Sequence, residues 1–158
     1  MNYKKQLKEL SFIVNDELSN YIKVHDKIHY ESETFKSTLK NLFGFGIPMV
    51  ELLKEAETLV PAWESINERI NEFKVSEYNN LSDGEKYFFD LLSSFVIALI
   101  KTVSCLVEKQ KLLAEGSEKF GSLTWKDHQE KRRAYQDSID DYMLVGLKLN
   151  DAKYIIFN

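Results

Sequence analysis

Apolar side chains recur every seventh residue through the first quarter of this chain, and that repeat constrains the fold more than any other feature. Leu7, Val14, Tyr21, Ile28, Phe35 and Leu42 share one position of it, and Tyr3, Leu10 and Val24 lie three residues further on within the repeat. Residues seven apart return to nearly the same face of an α-helix, so the spacing predicts one long helix with a single sticky seam. Such a seam has to be buried against other helices, and the rest of the chain offers three.

The first helix is expected over 3–43, with a weak spot around Glu31–Thr34 where a glutamate occupies the seam. Gly44 suits the left-handed residue that closes a helix, and Pro48 suits the first turn of the next. A second helix is expected over 48–77 on the seam Met49, Leu52, Ala56, Leu59, Trp63, Ile66, Ile70 and Phe73. Pro61 falls in its middle, where it removes a backbone bond and crowds the carbonyl of Glu57. The apolar phase is the same on both sides of Pro61, which predicts one kinked helix and not two.

Ser82-Asp83-Gly84-Glu85 has the spacing of a capping box, with the serine hydroxyl and the glutamate carboxylate each satisfying an exposed amide. It opens a third helix over 83–115, with Phe88, Leu92, Phe95, Leu99, Leu106 and Leu113 on its seam. Phe89, Leu91, Val96, Ala98, Val103 and Cys105 widen that seam on both flanks, so this helix should be the central one. Residues 116–123 read as a connection, and Thr124 can cap a fourth helix over 125–149. Its seam is Trp125, His128, Tyr135, Ile139, Tyr142 and Leu149, with Gly146 on the same side to admit a close neighbour. The tail from Tyr154 to Phe157 is apolar and lies outside that repeat.

The expected fold is therefore all-α: an elongated antiparallel four-helix bundle, up-down-up-down, with a long first helix and a proline-kinked second. At 158 residues the chain fits one domain, 1–158, large enough for a real core.

Composition narrows the function classes. The net charge of −4 and the three arginines, Arg69, Arg132 and Arg133, against 18 lysines argue against a nucleic-acid binder. A single cysteine, Cys105, excludes an internal disulfide and fits a reducing, cytoplasmic setting. The first residues go straight into helical pattern, so no leader is expected. The strongly apolar stretch 87–107 contains Asp90 and Lys101. Each would cost about 3 kcal/mol near a bilayer centre. The ten charge-free residues 91–100 are too few to span. This helix is expected to be the most buried one of a soluble bundle.

The histidines are the candidates for chemistry. His25 and His29 are four apart on one helix face, and His128 sits on the inward side of the last helix. Together they could form a three-histidine metal site, the basis of an alternative reading as a metal-dependent bundle enzyme. The Glu-x-x-His motif of di-iron bundles is absent. Cys105 lies among Val103, Leu106 and Val107, a setting for a buried, inert thiol. Lys131-Arg132-Arg133 is flanked by Asp127, Glu130 and Asp137 and reads as salt-bridged helix surface. No catalytic residue is assigned and no cofactor is expected.

Two features point to a protein partner instead. Residues 44–80 carry three basic and seven acidic groups, and Glu64, Glu68 and Glu72 recur at spacing four. Like charges at that spacing repel by about 0.2–0.5 kcal/mol per pair, a cost that a basic partner would offset. Phe45 and Ile47 in the first turn, and Tyr154, Ile155 and Phe157 in the tail, are spare apolar groups. The expected function is a non-enzymatic soluble interaction module of the inhibitor, immunity or adaptor type, binding another protein through a helical face. Neither nucleic acid nor membrane is an expected partner, and the long seam is compatible with a homodimer. A peripheral membrane or scaffold bundle is the third reading, carried by the overhanging first helix and Pro61 and opposed by the acidic second helix.

Overall fold

The computed structural model describes residues 3–33, 48–118 and 125–157, and these form four long α-helices with no strand among them. They are α1 (Tyr3–Glu33), α2 (Met49–Glu77), α3 (Asp83–Glu118) and α4 (Trp125–Phe157), with a single 3₁₀ turn at Tyr78–Asn80 between α2 and α3. Consecutive helices pack on one another, and α3 also touches α1. The result is a four-helix bundle in which α3 contacts each of α1, α2 and α4.

The seven-residue repeat is what α1 buries. Leu7, Val14, Tyr21 and Ile28 are almost wholly shielded, while Tyr3, Leu10 and Val24 sit half-buried beside them. On α2 the buried set is Leu52, Ala56, Leu59, Trp63, Ile66 and Ile70, with Met49 and Phe73 at the margins. Pro61 is an outward-facing residue within a continuous helix, and the buried phase is unbroken across it. On α3 the core comprises Phe88, Phe89, Leu92, Phe95, Val96, Leu99, Val103, Leu106 and Val107. Full burial of a Leu, Val or Phe side chain is worth about 1.5–3 kcal/mol, so these rows supply the main driving force for folding. By length and composition α3 could cross a membrane, but its apolar side chains are the centre of this bundle.

Contacts fix the relative direction of two pairs. Phe157 meets Phe88, Lys101 pairs with Asp141, and Lys131 pairs with Glu108, so α4 runs opposite to α3. Phe73 meets Phe89 while Lys111 pairs with Glu57, so α2 also runs opposite to α3. Gly146 admits the close approach expected of it. A Cβ placed there would lie 3.0 Å from Cε2 of Phe95.

Several boundaries differ from the sequence reading. The third helix passes through Gly116 to Glu118, since one glycine costs a helix only about 1 kcal/mol. The fourth continues through the tail to Phe157, because Ala152, Ile156 and Phe157 extend its inward row and no proline or glycine stops it. At 33 residues α4 is two residues longer than the described part of α1, and the overhang expected of the first helix falls on residues outside the described ones. Expectations for 34–47 and 119–124 lie outside the described residues.

The capping box forms in half. The Glu85 carboxylate accepts from the Ser82 backbone N–H (2.9 Å), but the Ser82 hydroxyl donates to the same oxygen (2.7 Å) instead of accepting from a helix amide N–H. That pair of donors, the hydroxyl first and the backbone N–H second, holds the Glu85 carboxyl below its usual range, with Lys4 adding a smaller pull. Cys105 is half-buried and not fully enclosed, because it lies at the edge of the apolar arc of α3.

Candidate interaction surface

The last helix has two apolar faces. Inward, Tyr135, Leu149 and Ala152 are buried, with Ile139, Tyr142, Val145 and Ile156 packed at the core edge. Outward, Met143, Leu144, Leu147, Tyr154 and Ile155 are all exposed, with Leu147 at 66%, Tyr154 at 73% and Ile155 at 78% of their full accessibility. Leu144, Leu147, Asp151 and Tyr154 fall at alternating spacings of three and four, the interval of a coiled-coil seam. Met143 and Ile155 widen this stripe on either side.

The sequence pattern marks only the C-terminal part of it. Tyr154 and Ile155 are outward, as spare apolar groups would be. Phe157 is not: its ring packs edge-on against Phe88 at a centroid distance of 5.1 Å and closes the end of the core. Phe45 and Ile47 lie outside the described residues. Met143, Leu144 and Leu147 were missed, although their spacing from Tyr154 carried the signal.

Glu64, Glu68 and Glu72 are all exposed on the outward face of α2. They form an acidic stripe on a different helix from the apolar one. Val75, an apolar side chain on the same face, is almost fully exposed. Some neighbouring carboxylates are drawn into ion pairs between helices: Glu55 with Lys27 and Glu57 with Lys111.

The histidines take up different roles. His25 is half-buried and its Nδ1 lies 2.6 Å from the Tyr135 hydroxyl. His29 is exposed and stacks on His25, with ring centroids 6.1 Å apart. His128 is half-buried on α4. Among the described residues, which include all three, no group of three or more His, Cys, Asp or Glu side chains is placed to hold a metal ion. The three-histidine cluster of the alternative reading is therefore not assembled among the described residues.

The interior between α1 and α4 holds a polar chain instead. The Tyr21 and Tyr135 hydroxyls are 2.8 Å apart, and Tyr142 stands edge-on to Tyr21 at 5.9 Å. Burial pushes the Tyr21 phenol well above its ordinary pKa, a rise that its hydrogen bond with Tyr135 only partly opposes. On α3, Thr102 donates to carbonyls of Ala98 and Ser138, which ties α3 to α4 deep in the core.

Comparisons with protein families, curated proteins and solved structures find no match to this chain. The geometry alone carries the functional reading.

Proposed function

We propose that this protein is a non-enzymatic helical interaction module that docks a partner protein along the outward face of α4. One observation carries the reading: five large apolar side chains, Met143, Leu144, Leu147, Tyr154 and Ile155, line that face at coiled-coil spacing and are exposed. Clustered exposed apolar groups on a folded domain mark contact sites, because leaving them in water forfeits about 25 cal/mol per Å². Their spacing fits a partner helix laid lengthwise in register. Asp151 within the stripe, with Asp140 and Lys148 beside it, would set the charge pattern of that helix. The acidic row Glu64, Glu68 and Glu72 is a second contact surface for a basic region of the same or another partner.

The test is affinity capture from the native host with the wild-type chain and a Leu147→Lys/Tyr154→Lys variant. Both positions are exposed, so the variant should keep its helical circular dichroism. The reading predicts a stoichiometric partner for the wild type that the variant loses. A wild-type chain that sediments as a lone monomer and captures the same set as the variant contradicts it.

A further inference from the structure

Ser11 on α1 and Gly146 on α4 are the smallest residues where those two helices meet α3, and a cavity of about 120 Å³ lies between them. Leu92 and Phe95 of α3 and Leu149 of α4, all buried, form its apolar floor. Asn15 of α1 and Asn150 and Lys153 of α4, all exposed, stand at its open side. The volume approaches the roughly 150 Å³ in which apolar walls hold a benzene-sized guest. About 22 Å of helix separates Leu18, at one edge of the cavity, from Glu33, and more separates Phe95 from Glu118 and Gly146 from Trp125.

The cavity is divided by chemistry. Ser11 is only 8% exposed, and its hydroxyl makes no hydrogen bond among the described residues. A shielded hydroxyl without a partner is costly, and a guest that accepts from it recovers that cost. Lys153 makes no ion pair among the described residues. All four polar side chains can donate a hydrogen bond, and no carboxylate is among the described residues that line the cavity. Asp16 and Asp151, next in sequence to Asn15 and Asn150, are exposed and do not line it. A divalent cation would meet an ammonium and no anionic ligand there. A phosphate would find one fixed cation and no guanidinium fork. A guest with a hydrocarbon chain and a carboxylate head matches both parts. The chain covers the apolar floor, and the head accepts from the donors at the open side, where it keeps part of its hydration.

We propose that this cavity binds a short-chain monocarboxylate of about five to seven carbons, the length its volume admits. Its chain rests on Leu92, Phe95 and Leu149, and its carboxylate on Lys153, the asparagine amides and the Ser11 hydroxyl. The site lies on the inner side of α4, away from the outward stripe, and does not depend on the docking reading.

The experiment titrates hexanoate into the full chain at constant pH and ionic strength. The methyl resonances of Leu18, Leu92 and Leu149 and the thermal midpoint are followed. Acetate, 1-hexanol and dodecanoate below its aggregation concentration are titrated in parallel. The proposal predicts saturable methyl shifts with hexanoate, a Kd of about 1 mM or tighter, and a rise in midpoint. 1-Hexanol should bind about tenfold more weakly for want of the charged head. Acetate should leave the methyls unmoved, and dodecanoate should bind within about tenfold of hexanoate because its extra methylenes find no wall. Lys153→Met changes an exposed residue and Ser11→Ala removes one oxygen, so both should fold. The first should weaken hexanoate about tenfold and leave 1-hexanol unchanged, and the second should weaken hexanoate about threefold. A hexanoate response that does not saturate, or that is equal in wild type and both variants, overturns the proposal. So does 1-hexanol binding as tightly as hexanoate, or dodecanoate binding more than about a hundredfold tighter, which would mark a long-chain lipid groove.

Discussion

The hydroxyl of Tyr135 on α4 lies 2.8 Å from that of Tyr21 on α1, and this buried bond joins two helices 114 residues apart in sequence. The same Tyr135 oxygen lies 2.6 Å from Nδ1 of His25. Tyr135→Phe therefore leaves the Tyr21 hydroxyl shielded from water and without this partner, and should cost about 1–3 kcal/mol in urea unfolding. Tyr21 also has a side-chain hydrogen bond with Tyr142, so Tyr21→Phe on top of Tyr135→Phe should cost less than Tyr21→Phe alone but not nothing. A double-mutant cycle measures that coupling, and strict additivity would refute it. The raised pKa of Tyr21 adds a pH signature. The folded state holds this proton more tightly than the unfolded chain, so its stability contribution is complete below pH ~10 and declines as pH rises beyond it. The decline should be shallower in Tyr21→Phe.

Glu85 has the opposite sign. Its carboxyl is held below the usual range by the Ser82 hydroxyl and backbone N–H. Its contribution is present above the unfolded carboxylate pKa of about 4.3 and is lost as pH falls through the lower folded value. Glu85→Ala should destabilise by about 1 kcal/mol at pH 7, the usual worth of a helix cap. The gap from wild type should close in acid, and thermal melts from pH 7 to pH 3 would record it.

Gly146 separates size from flexibility. A methyl group there would meet Phe95 at 3.0 Å. Phe95 also borders a cavity of about 120 Å³ that includes Ser11, Leu18 and Leu149, so its ring has somewhere to move. Gly146→Ala should be within about 0.5 kcal/mol of wild type, because better helix propensity offsets the shift. Gly146→Val should cost about 1–3 kcal/mol through overpacking. Equal unfolding midpoints for the two variants would contradict this account.

Gln110 is fully buried on α3, and neither its Oε1 nor its Nε2 has a hydrogen-bond partner among the described residues. An enclosed amide in that state costs about 1–3 kcal/mol. Gln110→Leu, of similar volume, should raise the urea midpoint by about 1 kcal/mol of stability. A lower midpoint would mean that the amide is satisfied in solution.

The parts of this fold that were legible in the sequence are those with one face to bury. Leu7, Val14, Tyr21 and Ile28 obey a single spacing and are all buried. The α2 seam keeps its phase across Pro61, and the helix does not break there. The end of α4 was harder because it carries two interleaved stripes. Leu149, Ala152 and Ile156 turn inward while Leu147, Tyr154 and Ile155 turn outward, so no single repeat describes the segment. The polar chain was hidden for another reason. Tyr21 and Tyr135 fall on helix seams, and periodicity says nothing about which hydroxyl meets which across the core. Lys109 and Gln110 within the apolar helix were the overlooked sign that its interior is not wholly dry.

The most direct measurement places a photo-crosslinking amino acid at Leu147, and separately at Glu68, in the native host. Docking along the outward face of α4 predicts one discrete cross-linked species from position 147, which Leu144→Lys abolishes. No adduct from 147, or an adduct that survives Leu144→Lys unchanged, would contradict the central claim.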